Sequence, residues 1–174
     1  MVDATSLTEE QREGVWGQRC GVLYKAWVQL RYHRRRQRFF DLADKATKAL
    51  TLLLGASMIG TWLRDFLPFV AAAISFMGLL ALVFGYGDRK QLHKELAEQA
   101  ATLIGGIEQV PAGELTPTKT AAWSSEFAKL CAKAPPPLKT LTLICEHEQS
   151  AADGHPDHVR QPAWPRRLLA DFVS

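Results

Sequence analysis

Residues 49–87 read ALTLLLGASMIGTWLRDFLPFVAAAISFMGLLALVFGYG, and this stretch decides the fold. Only Arg64 and Asp65 carry charge in it, although charged residues make up 22% of the 174-residue chain. That pair divides the stretch into Ala49 to Leu63 and Phe66 to Gly87, the second being 22 residues without a charge. At about 1.5 Å per residue a helix of that length measures roughly 33 Å, enough to cross a hydrocarbon core of about 30 Å. The first segment reaches that length only if it extends back towards Ala43, with Lys45 and Lys48 snorkelling to the headgroups. The sequence therefore predicts a transmembrane hairpin with spans over about 45–63 and 66–87 and a tight turn at Arg64 and Asp65. Pro68 falls in the first turn of the second span, where its missing N–H costs little. Trp62 and Tyr86 fall at the span ends, as amphipathic rings do at a membrane interface, although ordinary packing at a helix end would place them there too.

Charge on either side sets the orientation. Residues 1–48 hold ten Lys and Arg against six Asp and Glu, and residues 88–174 hold ten against eleven. Arg31, Arg34, Arg35, Arg36, Arg38, Lys45 and Lys48 precede the first span and Arg89, Lys90 and Lys94 follow the second, whereas the turn holds Arg64 alone. The positive-inside rule then puts both termini in the cytoplasm of a multi-pass inner-membrane protein. The start MVDATSLTEE lacks the apolar core of a cleavable signal, so the first span is expected to serve as its own. Cysteines at 20, 131 and 145 have neither the even count of a disulfide framework nor the paired spacing of a zinc ribbon.

The flanks predict amphipathic helices. Trp16, Cys20, Leu23, Trp27 and Leu30 recur at spacings of 4, 3, 4 and 3, and Leu96, Ala100, Leu103, Ile107 and Val110 repeat the pattern. Two such stripes on helices leaving the membrane side by side predict a cytoplasmic antiparallel pair, a basic N-terminal helix within 1–48 against a helix over 88–110. Ser6 and Glu9 have capping-box spacing, Gly105 and Gly106 weaken the second helix, and Pro111 ends it. Residues 111–174 are expected to form a small helical C-terminal region with Pro-rich linkers. There Thr116 or Thr118 would cap a helix carrying Trp123, Phe127 and Leu130, LKTLTLICEHEQ reads as a helix or as a strand, with helix favoured, and RRLLADFV forms a last short helix. The fold class is thus an all-α membrane protein, a two-helix hairpin extended by amphipathic helices.

Within YHRRRQRFF, residues 32–40, Arg34, Arg35, Arg36 and Arg38 cover most of a helix circumference. They point to anionic lipid headgroups, each basic residue near the surface being worth about 1 kcal/mol. A nucleic-acid patch and a solvated face that only sets topology are the competing readings, and the membrane segment about ten residues away favours lipid over nucleic acid. Ala56 with Gly60 and Ala71 with Ser75 place small residues four apart, where helices approach closely within the hairpin or between copies. Thr51, Ser57, Thr61 and Ser75 are too few to line an aqueous path, so a pore would require assembly. Cys145, His147, His155 and His158 are metal-ligand types, but C-x-H matches no standard zinc spacing. No nucleophile elbow, P-loop, dinucleotide fingerprint or H-E-x-x-H occurs, so no catalytic residue, metal or cofactor is expected.

Residues 32–109 resemble the SLATT family of two-helix bacterial membrane effectors. The basic-aromatic entry YHRRRQRFFDLADKATKA, the two apolar helices with a tight turn, and the exit DRKQLHKELAEQAATLIGGIEQ with His93 early in it carry the resemblance. The combination of this module with the tail APPPLKTLTLICEHEQ also resembles proteins of Mu-like prophages. The resemblance implies a non-enzymatic effector that oligomerises through the hairpin and permeabilises the membrane in phage or anti-phage conflict. Two other expectations stand beside it. One is a prophage-encoded membrane adaptor or exclusion factor whose residues 111–174 bind a partner protein. The other is a helical bundle with a very apolar hairpin and no membrane contact.

Overall fold

The computed structural model describes residues 8–57 and 67–171, and every regular element among them is helical. In chain order these are α1 (Glu9–Ser57), α2 (Leu67–Phe84), α3 (Tyr86–Glu108), a 3₁₀ turn at Ala112–Glu114, α4 (Pro117–Lys133), α5 (Lys139–Ala152) and α6 (Trp164–Leu168). The chain divides into two compact units, one comprising Met1–Arg34 with Lys94–Ser174, the other Arg35–His93.

Local sequence explains the helix ends. Thr8 and Gln11 form a reciprocal capping box: the Gln11 N–H donates to Thr8 Oγ1 at 3.3 Å and the Thr8 N–H to Gln11 Oε1 at 3.0 Å. The expected box at Ser6 and Glu9 includes Ser6, which lies outside the described residues. Thr116 caps α4 by accepting from the Lys119 N–H, with Pro117 in the first turn. Pro135, Pro136 and Pro137 separate α4 from α5, and residues 139–152 settle as helix.

In the first unit α1 buries two faces. Val15, Val22, Ala26 and Leu30 join Leu96, Ala97, Ala100, Leu103, Ile104 and Ile107 of α3 and Trp123 and Leu130 of α4 in one core. Leu23, Trp27, Val110 and Phe127 pack partly buried against it. Arg19, near the start of α1, donates to the Ile107 carbonyl near the end of α3 at 3.3 Å, which is the start-to-end meeting of an antiparallel pair. On its other face Val28 and Tyr32 form a second cluster with Leu141, Ile144, Cys145 and Ala170. Polar bonds fix this packing: Tyr24 Oη donates to the Glu146 carbonyl, Arg31 Nε donates to Gln149 Oε1 at 2.8 Å, and the Leu138 N–H donates to Tyr32 Oη. The α3 stripe is the expected one. The α1 stripe is displaced at its start: Trp16 is 47% exposed and Cys20 exposed, and Val15 holds the core position. The 4, 3, 4, 3 spacing pointed to Trp16, but a helix packed on two sides leaves its third side to water. There Arg19 covers the Trp16 ring at 5.1 Å.

In the second unit α1 runs through the start of the first predicted span without a break as far as Ser57. Residues 58–66, which hold Gly60, Trp62 and the predicted turn at Arg64 and Asp65, lie outside the described residues. The second predicted span is shorter as a helix than its apolar run. α2 ends at Phe84 because Gly85 adopts a left-handed backbone, with φ +53°, and the Gly85 carbonyl accepts the Arg89 N–H at the start of α3. At 18 residues α2 measures about 27 Å. Among the described residues no helix is long and apolar enough to cross a membrane.

Candidate functional site

The basic-aromatic run of α1 continues a single helical stripe: Ala26, Leu30, His33, Gln37 and Phe40 follow at spacings of 4, 3, 4 and 3. His33 and Phe40 are buried on it, at 0% and 4% exposure. His33 belongs to the first unit, where its ring meets Tyr32 edge-on at 5.2 Å. Phe40 is the hub of a cluster in the second unit. Its ring stacks on His93 of α3 with centroids 5.6 Å apart and planes 12° from parallel, and it also meets Phe39 and Tyr86.

Two guanidinium groups converge on this ring from different helices. Arg36 Cζ lies 4.6 Å from the Phe40 centroid and 5.1 Å from that of Phe39, and Arg89 Cζ lies 5.9 Å from Phe40. Beside them Asp41 Oδ1 accepts from Lys90 Nζ and Asp41 Oδ2 pairs with Lys45 Nζ, each at 2.7 Å, while Asp44 pairs with Lys48.

The electrostatics follow from this arrangement. Burial, with Arg36 and Arg89 adding positive potential, pushes His93 down from 6.5 to about 4, so it is neutral at pH 7. Hydrogen bonds from Lys45 and Lys90 hold the Asp41 carboxyl down at about 2, and the bond to Asp41 raises Lys90. The cluster thus keeps its charges on Arg, Lys and Asp and none on the imidazole.

The arginines named from the sequence divide by environment. Arg34 and Arg38 are exposed, Arg35 is half-buried, and Arg36 lies over the two phenylalanines. Arg89, noted in the sequence only for topology, joins Arg36, and Phe40 emerges as the hub. The signal for Phe40 lay in the stripe continuing past Leu30 beneath the arginines, whereas no pattern within α1 pointed to Arg89. Of the small residues, Ala71 and Ser75 are exposed on α2. Ala56 is the penultimate described residue of α1, and Gly60 lies outside the described residues.

The predicted pairing residues Leu23, Trp27, Leu30, Leu96, Leu103 and Ile107 sit in or against the first unit's core, with Trp16 outside it. In the C-terminal region Trp123 is core and Phe127 packs at its edge, so neither offers a contact surface; Trp164 is 72% exposed. Phe172 lies outside the described residues. Cys145 is buried in α5, His147 Nδ1 lies 2.7 Å from the Val159 carbonyl, and His155 stacks on His158. Among the described residues no three His, Cys, Asp or Glu side chains gather as a metal ion would require. An open groove of about 450 Å³ beside α3 and α4 is lined by Glu95, Glu98, Glu126, Lys129 and Lys133, charges of both signs that select no one ligand class.

Comparison with protein-family models, curated proteins and solved structures finds no match to this chain.

Proposed function

We propose that the protein is a non-enzymatic bacterial inner-membrane effector of SLATT-like type, which oligomerises through a two-helix hairpin and perturbs the bilayer. The observation that carries this reading is the exposed apolar surface of the second unit. Leu50, Leu52 and Leu53 near the end of α1 and Phe69, Phe76, Leu79 and Val83 of α2 are all exposed. A water-facing protein rarely leaves so many large apolar side chains uncovered, and lipid is the solvent in which they cost nothing. α2 falls only about 3 Å short of a 30 Å core, a mismatch that local thinning of the bilayer meets at a fraction of a kcal/mol per Å. The arginines and lysines flanking the hairpin then lie on the cytoplasmic side with both termini. Exposed Ala71 and Ser75 on α2 suit close approach by a second copy.

Carbonate extraction of the membrane fraction and dye leakage after expression test the reading together. Retention in the extracted membrane with leakage supports it. Release by carbonate defeats the membrane assignment, and retention without leakage at any expression level defeats the effector assignment. In the latter case the adaptor reading takes its place, and exposed Trp164, beside Arg166 and Arg167 on α6, is the contact it would use.

A further inference from the structure

We propose that Arg36 of α1 and Arg89 of α3, converging on the Phe40 ring, form a clamp for a phosphate group, supplied in the bilayer by a phospholipid headgroup. The lipid source rests on the membrane reading above; the clamp itself rests on the geometry of the second unit. The two guanidinium carbons lie 4.6 and 5.9 Å from one ring centroid, which bounds their separation at about 10.5 Å. Guanidinium groups suit this ligand because their planar N–H forks donate paired, charge-assisted bonds to phosphate oxygens.

Three features make the pair more than a basic surface. Phe40 is a fixed seat, buried and stacked on His93. Asp41 and Asp44 are directed to lysines, by contacts of 2.7 Å with Lys45, Lys90 and Lys48. And His93, stacked on the same Phe40 ring, is held neutral by burial and by the field of Arg36 and Arg89, so the cluster resists further positive charge and an anion lowers its self-repulsion. The cluster also borders the uncharged segments: Phe40 meets Tyr86, which directly follows the break at Gly85. That is the depth at which headgroup phosphates lie beside a span.

The test uses the full-length protein with phosphatidylcholine vesicles, with and without phosphatidylglycerol, and inorganic phosphate as a soluble probe. Arg36→Gln and Arg89→Gln should each weaken the preference for the anionic vesicles on the order of tenfold, with the double variant little worse than either. Arg36→Lys and Arg89→Lys, which keep the charge but lose the fork, should lose most of the same preference. Arg34→Gln with Arg38→Gln should cost less, and only at low salt, because exposed charges act through a screened field. The His93 imidazole resonance reports occupancy of the site directly, since a bound anion makes its protonation easier. Equal losses from both arginine pairs, or unchanged binding by the glutamine variants of a protein that inserts normally, would overturn the clamp while leaving the membrane reading intact. A wild type that fails to insert yet binds inorganic phosphate, with the same dependence on Arg36 and Arg89, would sustain the clamp and remove the lipid as its source.

Discussion

Acidification should loosen the second unit through one residue, His93. Its folded pKa lies at about 4 against 6.5 for a free imidazole, because burial and the nearby Arg36 and Arg89 disfavour the imidazolium. The sign follows from linkage. Below 6.5 the unfolded chain takes up a proton that the folded one refuses, so the stability present above pH 6.5 is lost as the pH falls towards about 4. At 1.36 kcal/mol per pKa unit the gap corresponds to roughly 3 kcal/mol, and screening by solvent at the cluster's edge brings the loss at pH 4.5 to about 2 kcal/mol. Asp41 adds little over this range, since its stabilising effect is fully present above the ordinary carboxyl value of 3.8 and is lost only as the pH falls from there towards about 2. The perturbation is His93→Gln, which removes the titrating group and leaves the remaining carboxylates to titrate as before. Denaturant unfolding of the full chain in detergent at pH 7.5, 6, 5 and 4.5, taken as the difference between wild type and variant, isolates the residue; imidazole resonances give its pKa independently. If wild type and His93→Gln lose stability in parallel between pH 6.5 and 4.5, or if the His93 resonance titrates near 6.5, the reasoning is wrong.

Ile107→Ala removes about three carbons from a site with no exposure, so roughly 2.4 kcal/mol of transfer free energy and a cavity contribution combine to about 3–4 kcal/mol, measured as a shift in the denaturation midpoint. Gly85→Ala should destabilise by about 1–2 kcal/mol, because alanine pays for the left-handed backbone at φ +53°. Gly105→Ala, in the interior of α3 with nothing within 4 Å of an added Cβ, should instead stabilise by about 0.5–1 kcal/mol, read from the same denaturation midpoint. Asp41→Asn should lower the Lys90 pKa towards its ordinary value and speed amide exchange around residues 86–93, since Lys90 then loses its ionised partner at 2.7 Å.

Much of the molecule was legible in the chain because its cues are local. The 4, 3, 4, 3 recurrence from Leu96 to Ile107 placed the α3 core residues, since one buried stripe on a helix writes its period directly into the sequence. Proline and Thr116 marked the limits of α4 and α5 for the same reason, acting through their own backbone bonds. The near absence of charge from 49 to 87 marked the segment in which Leu50, Leu52, Leu53, Phe69, Phe76, Leu79 and Val83 are exposed. Tertiary packing decided what those cues left open. Which face of α1 is buried depends on α3 and α4 on one side and α5 on the other, and so Val15 is inside while Trp16, the larger and more apolar-looking neighbour, is not. For LKTLTLICEHEQ the pattern fits both helix and strand and only leans to helix, and the helix that forms packs Leu141, Ile144 and Cys145 on Val28 and Tyr32. The Phe40 site is the clearest case. Arg36 and Arg89 are 53 positions apart in the sequence, and no periodicity within one helix relates them. They meet because α1 and α3 place Phe40 and His93 face to face, a property of two helices together that neither carries alone.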